Sequence, residues 1–204
     1  RDGFLARLSA DGTTLNYGTL LGGSGEDESK HRNEVLPDGA VLLGGETLSP
    51  DFVGASGSLN GSSDAWVGVL DAAGTGFEFL RYFGGSGADR AVDRASDVQG
   101  RLYLVGSTSS ADFPTTPGAL QENFGGGEDG FLAVFDRTGT LLYSTYIGGS
   151  GPDNVRGVEV GPSGEIVIVG GTSSNDFPAT TGAYQTSRGG DQDGFVMKLV
   201  VSGG

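Results

Sequence analysis

The chain has 204 residues, no cysteine and a formal charge of −14 at pH 7. Without cysteine it has no disulfide framework, no thiolate nucleophile and no cysteine-bound zinc. Its negative surface repels phosphate backbones and anionic lipid heads, which argues against nucleic-acid and membrane-surface partners. No run approaches the roughly 18 apolar residues of a spanning helix, so membrane insertion is not expected. Glycine numbers 40, yet no G-X-Y register is present, and the short alternating apolar runs argue against disorder.

The first phrase is Asp2-Gly3-Phe4-Leu5, which begins at the second residue. This start, with no initiating Met or signal peptide, leads us to expect a piece of a longer protein or a processed chain. The phrase returns as Asp64-Ala65-Trp66-Val67, Asp129-Gly130-Phe131-Leu132 and Asp193-Gly194-Phe195-Val196, at intervals of 62, 65 and 64 residues. A fixed long period marks an array of like units, here about 2–63, 64–128, 129–192 and a partial 193–204. What recurs in every unit builds the unit. Asp2, Asp64, Asp129 and Asp193 are therefore expected to pin strand entries, and Phe4, Trp66, Phe131 and Phe195 to fill the core between units.

Next comes Gly22-Gly23-Ser24-Gly25-Glu26-Asp27, repeated at Gly84–Asp89 and Gly148–Asp153. No Lys-Ser/Thr follows and no helix begins, so the phosphate-cradling context fails. Glycine permits tight turns and aspartate ties down neighbouring amides, which suits a connection between units. Calcium is the competing reading, with Glu26, Asp27, Asp89 and Asp153 as candidate ligands and carbonyl or water oxygens completing a site. No other cofactor is implied.

The run Lys30-His31-Arg32-Asn33-Glu34 and the pair Asp93-Arg94 place charge on two candidate innermost strands. Aligned from Gly-Ser-Gly, Arg32 and Arg94 match Val158, Glu34 and Ser96 match Val160, and His31 and Asp93 match Gly157; the first unit then needs one extra residue before Asp38. Buried unpaired charge is costly, so these residues should pair across units or face a watery channel. His31, Glu34 and Asp93 include the residue types of a general acid/base cluster, with Arg32 and Arg94 beside them. No Ser-His-Asp order, HExxH or nucleophile elbow supports catalysis, and a polar channel lining is the expected role.

Asp51-Phe52, Asp112-Phe113-Pro114 and Asp176-Phe177-Pro178 mark long loops. A carboxylate beside a ring could recognise a sugar. The expected reading is structural: Pro fixes φ, Phe packs under the loop and Asp caps a turn.

The third unit shows the local structure most clearly. Residues 129–136, 141–147, 155–160 and 165–169 read as four short strands, bounded by Gly, Pro, Asp and Ser clusters. No window has comparable helical spacing. Repeated four-stranded antiparallel sheets predict an all-β chain and a β-propeller, of which about three to four blades are present. Such a part cannot close a ring alone, and it leaves a sheet edge open to pairing.

The order of D-G-F, then L-x-Y-S-T-Y-x-G-G-S-G-x-D, then P-S-G-x-I-x-I-V-G-x-T-S-S-x-D-F-P resembles the SBBP-type bacterial β-propeller repeat. The resemblance covers the whole chain, best in the third unit and least in the first. It implies a secreted or surface-attached bacterial protein and brings no shared catalytic chemistry. By analogy with related propellers, the strand before P-S-G is innermost, D-G-F is third and Y-S-T-Y is outermost. The chain then begins with two outer strands and ends after a third strand. The expected role is a noncatalytic scaffold or interaction module for a protein or glycan. Alternatives are a lectin-like propeller, a polysaccharide lyase or hydrolase using the charged channel, or a subunit whose ring is completed by other copies or by the rest of a longer chain.

Overall fold

A computed structural model describes residues 1–29 and 32–200. Those residues form fourteen strands and no helix. They are β1 (Gly3–Leu8), β2 (Leu15–Leu21), β3 (Asp27–Ser29), β4 (Glu34–Val35), β5 (Val41–Thr47), β6 (Asp64–Leu70) and β7 (Phe77–Phe83), then β8 (Asp89–Ser96), β9 (Leu102–Thr108), β10 (Asp129–Phe135), β11 (Leu141–Ile147), β12 (Asp153–Val160), β13 (Glu165–Thr172) and β14 (Asp193–Val200).

All strand pairs are antiparallel, in sheets of two to five strands. β1 pairs with β2; the second sheet runs β3-β5-β6-β7, with β4 also on β5. The third runs β8-β9-β10-β11 and the fourth β12-β13-β14. In the second and third sheets the strand order is the one expected by analogy, with the D-A-W strand β6 and the D-G-F strand β10 third and the Tyr-bearing β7 and β11 at the far edge. The chain begins with a two-stranded sheet and ends the described region on a three-stranded one.

Turn chemistry explains the hairpins. Between β10 and β11 the Asp136 carboxylate accepts from the backbone N–H groups of Thr138 (2.8 Å) and Thr140 (2.9 Å). Gly139 closes that turn at φ 82°, a conformation that favours glycine over residues with a Cβ.

Alternation then sorts side chains between two faces. On β10, Phe131, Ala133 and Phe135 point to one side and join Val67, Val69 and Leu104 in one buried cluster. Leu132 and Val134 point to the other and join Val158, Ile166 and Ile168. Each large apolar side chain so buried stabilises the fold by about 1.5–3 kcal/mol. The core is thus a series of layers between successive sheets.

The D-G-F aromatics follow this rule with one exception. Trp66, Phe131 and Phe195 are buried, but Phe4 is 74% exposed. Its face of β1 has no described sheet against it, so the expectation that Phe4 fills a core is corrected. On the fourth sheet the opposite face is bare, with Val196 76% and Val200 72% exposed.

Candidate functional site

Two groups of polar residues stand out: the loops that repeat and the edge strands β4, β8 and β12 that do not.

The loops form three near-copies of one lock. Asp27, Asp89 and Asp153 are buried. Their Oδ2 atoms accept from the N–H groups of Gly23 (2.7 Å), Gly85 (2.7 Å) and Gly149 (2.6 Å). The same oxygens accept from the hydroxyls of Ser49 (2.7 Å), Ser110 (2.8 Å) and Ser174 (2.6 Å). The Thr47 and Thr108 hydroxyls donate to Oδ1 of Asp27 and Asp89. Asp51, Asp112 and Asp176 complete the locks: each Oδ1 accepts from the N–H of Ser24, Ser86 or Ser150 at 2.8 Å. That contact holds all three carboxyls below their ordinary value. The glycines are required by space, because a Cβ on Gly85 would lie 2.5 Å from Asp112 Oδ1 and 2.7 Å from Ser110 Cβ.

These contacts define what the calcium candidates do in this structure. The carboxylates of Asp27, Asp89 and Asp153 face protein donors, and Glu26 is exposed. Among the described residues no three His, Cys, Asp or Glu groups converge as a metal site.

A third carboxylate, that of Asp2, Asp64 or Asp129, lies beside each lock. Asp64 and Asp129 are wholly buried. Burial pushes the Asp129 carboxyl up to about 6, with the charges of Asp153 and Asp176 adding to the rise and the Gly125 N–H opposing it. Burial raises Asp64 and Asp89 as well. Asp2 and Asp193, the remaining strand-entry aspartates, flank Gly22 and Gly189 respectively.

The rings of the D-F-P loops point inward. Phe52 is 4% and Phe113 3% exposed. Phe113 stacks 4.7 Å from Phe131, and Phe52 lies 5.1 Å from Trp66. Neither ring is available to stack on a sugar; both pack under their loops, as the structural reading expected. A residue that sequence reasoning did not single out holds them. The Tyr146 hydroxyl donates to Ser110 O (2.7 Å) and accepts from Phe113 N–H (3.0 Å). Tyr82 repeats this with Ser49 O (2.7 Å) and Phe52 N–H (2.8 Å). The signal was a tyrosine two residues before Gly-Gly in both units, together with Thr-x-Ser at 47–49, 108–110 and 172–174.

The edge strands β4, β8 and β12 and the residues just before β4 carry the charged side chains. Glu34 Oε1 accepts from the Ser96 N–H at 3.0 Å and from its hydroxyl. Asp93 Oδ2 accepts from the Val158 N–H at 3.1 Å. Each is a tie from one sheet to the edge strand of the next. Arg32 reaches two sheets onward to Glu159, at 3.2 Å, with both side chains more than half exposed. Arg94 is fully buried. Burial lowers its guanidinium to about 10, while Asp93 and Glu34 pull it back up. His31 lies outside the described residues. An open hollow of about 460 Å³ is lined by Arg32, Asp93, Arg156 and Glu159 together with backbone and valines of β12 and β13.

The register also corrects the alignment of the first unit. Glu34 faces Leu42, five residues before Thr47; the residues five before Thr108 and Thr172 are Tyr103 and Val167, which face Ala95 and Glu159. Glu34 therefore corresponds to Ala95 and Glu159, and the extra residue lies before it, between β3 and β4. In this chain Glu34 and Asp93 are spent on backbone and hydroxyl partners, and Arg32 on a carboxylate. The arrangement laces neighbouring sheets together around a solvated hollow.

No family model matches this chain, and no curated protein matches it. No helix among the described residues is long and apolar enough to cross a membrane.

Proposed function

We propose that the chain is an arc of a β-propeller of the SBBP repeat type, made of two whole blades between partial ones. In this reading it is a noncatalytic scaffold at a bacterial cell surface that presents its loops to a protein or glycan. Its whole blades are the sheets β3–β7 and β8–β11, each spanning the boundary between two of the sequence units 2–63, 64–128, 129–192 and the partial 193–204, and no cofactor enters the role.

The observation that carries the reading is the lacing of the innermost strands. Glu34 ties to Ser96, Asp93 to Val158 and Arg32 to Glu159, over separations of 62, 65 and 127 residues. A general acid or base must be free to reach the substrate proton it gives or takes. Here each carboxylate instead caps the next sheet, as a ring of like blades requires. The surface location rests on the repeat resemblance, and the step from fold to role is one of analogy.

The test is a screen of the purified chain against arrayed glycans and acidic or basic polysaccharides, reading both binding and cleavage. Binding without cleavage, retained in Glu34→Gln and Asp93→Asn variants that remain folded, is expected. Cleavage of any polysaccharide that is lost in those variants overturns the noncatalytic reading.

A further inference from the structure

The loop that leads into β6 carries Asn60-Gly61, the one Asn-Gly pair in the sequence. Both main-chain N–H groups of the pair point at a single buried carboxylate. Asn60 N–H donates to Asp64 Oδ2 (3.0 Å) and Gly61 N–H to Asp64 Oδ1 (3.2 Å). The clasp recurs. Gly125 N–H donates to Asp129 Oδ2 (2.7 Å) and Gly189 N–H to Asp193 Oδ2 (2.8 Å), each from four residues before the strand-entry aspartate. Those units have glycine where the second has Asn60. An asparagine is therefore not needed to make the clasp, and its side chain is the departure to explain.

Asn60 is exposed, and its Oδ1 accepts from the Ser58 hydroxyl at 3.1 Å. The groups of an intramolecular acyl transfer thus lie within seven residues, 58–64. Gly61 N is the nucleophile, with no side chain of its own to crowd the approach. Asp64 Oδ1 is within reach of the proton that this nitrogen must lose. Burial raises the Asp64 carboxyl, so its ionised form takes a proton more readily than an exposed aspartate does. The Ser58 hydroxyl sits on the oxygen where negative charge develops when the Asn60 amide carbon is attacked.

We propose that Asn60-Gly61 is a self-modification site, at which Asp64 and Ser58 promote closure of a succinimide ring that water then opens to an isoaspartyl link. Gly61 N bonds to Asn60 Cγ as its proton passes to Asp64. The Cγ–Nδ2 bond breaks, and Nδ2 leaves as ammonia, taking the proton back from Asp64. Water adds to either ring carbonyl, giving isoaspartate or aspartate, and no oxidant, reductant or cofactor takes part. The isoaspartyl product lengthens the main chain by one carbon and adds a negative charge. It does so where the chain has no slack. Ser62 N–H donates to Gly87 O (3.2 Å), Asp89 N–H donates to Ser63 O (2.9 Å), and a Cβ on Gly61 would run into Gly87 O. Conversion therefore frees residues 60–63 from the lock at Gly85–Asp89 and loosens, in one direction only, the joint between the second and third sheets. The inference is independent of the scaffold role; the glycan and cleavage screens can fail without touching it.

The experiment ages the purified chain near neutral pH beside a urea-unfolded sample at the same pH and temperature. Peptide mapping by mass spectrometry follows the exchange of NH2 for OH at Asn60, and isoaspartate methyltransferase labelling identifies the isomer. Conversion in the folded chain should be at least about tenfold faster than in the unfolded one, since a positioned base contributes roughly 10²–10⁴-fold. Asp64→Asn removes the base and should bring the folded rate down to the unfolded rate. Should that variant fail to fold, Ser58→Ala decides: this residue is exposed, and loss of its hydroxyl should slow conversion several-fold in the folded chain alone. In the converted chain, amide exchange at Ser62 and Asp89 should quicken. A folded rate at or below the unfolded one overturns the proposal. So does an unchanged rate in either folded variant, unchanged exchange at Ser62 and Asp89 after conversion, or scission between residues 60 and 61, which marks attack by Asn60 Nδ2 on its own carbonyl instead.

Discussion

The loop locks and the edge strands β4, β8 and β12 face the same neighbours across the same sheets, yet they have diverged differently. At the loops, Asp89 and Asp153 hold the same glycine and serine positions at distances that differ by 0.1–0.2 Å. On the edge strands the equivalent of Glu34 is Ala95 in one unit and Glu159 in the next, and the inter-sheet tie passes from Glu34 to Asp93. The lock leaves no freedom, because backbone donors and a Cβ-free glycine surround a buried charge. The edge strands border a solvated hollow, where water can replace a lost partner. Divergence there costs little stability, which leaves room for selection on recognition.

The largest effect should come from breaking a lock. Asp89→Ala strips the acceptor from Gly85 N–H and from the Ser110 and Thr108 hydroxyls, all inside the protein. A loss of about 2–4 kcal/mol is expected, read as a fall in the urea midpoint at unchanged m-value. A loss below about 1 kcal/mol would mean that the loop re-forms around water and is no lock.

The second test uses pH. Asp129 titrates at about 6 in the folded chain, above its ordinary value. Below about pH 4 both folded and unfolded states hold its proton, so it contributes nothing. Between about 4 and 6 the unfolded state releases the proton first, so this group makes stability fall as pH rises. Above about 6 the full penalty of an ionised carboxylate beside Asp153 and Asp176 is present. Asp129→Asn should therefore gain on the wild type across that window and keep the gain at pH 7. Paired urea melts from pH 4 to 7 check it, and a constant difference would assign the perturbation elsewhere.

Next in size is Tyr146→Phe, which leaves Phe113 N–H and Ser110 O without their partner. It should cost about 1–2 kcal/mol by thermal or urea unfolding. The same change at Tyr82 should cost a similar amount, since the geometry repeats.

The sequence made the strands and their order legible because period-two alternation and Asp/Gly turns are local signals. Residues 141–147 and 165–169 were strands before any contact was known, and β11 and β13 occupy those positions. The lock was half legible. Gly-Gly-Ser-Gly-x-Asp was visible as a connection, but its serine and threonine partners lie 19–22 residues away on the far side of a strand pair. The tyrosine was missed for a similar reason, since its hydroxyl acts 33 and 36 residues back along the chain. Glu34 was placed one position off because an inserted residue in an irregular stretch leaves no periodic mark. Only pairing with β5 fixes it.

The smallest effect sharpens the comparison most. Arg32 and Glu159 pair in the open, with side chains 55% and 71% exposed. Exposed ion pairs contribute little, because water screens the attraction and two long side chains must be ordered to make it. Arg32→Ala should change stability by no more than about 0.5 kcal/mol. If that holds while Asp89→Ala is severe, the charged edge is free to vary in a way that the locks are not. A ligand of the hollow should then respond to Arg32→Ala in affinity while the melting curve stays in place. A large stability loss from Arg32→Ala would instead make the charged edge part of the framework, and the contrast between the two regions would collapse.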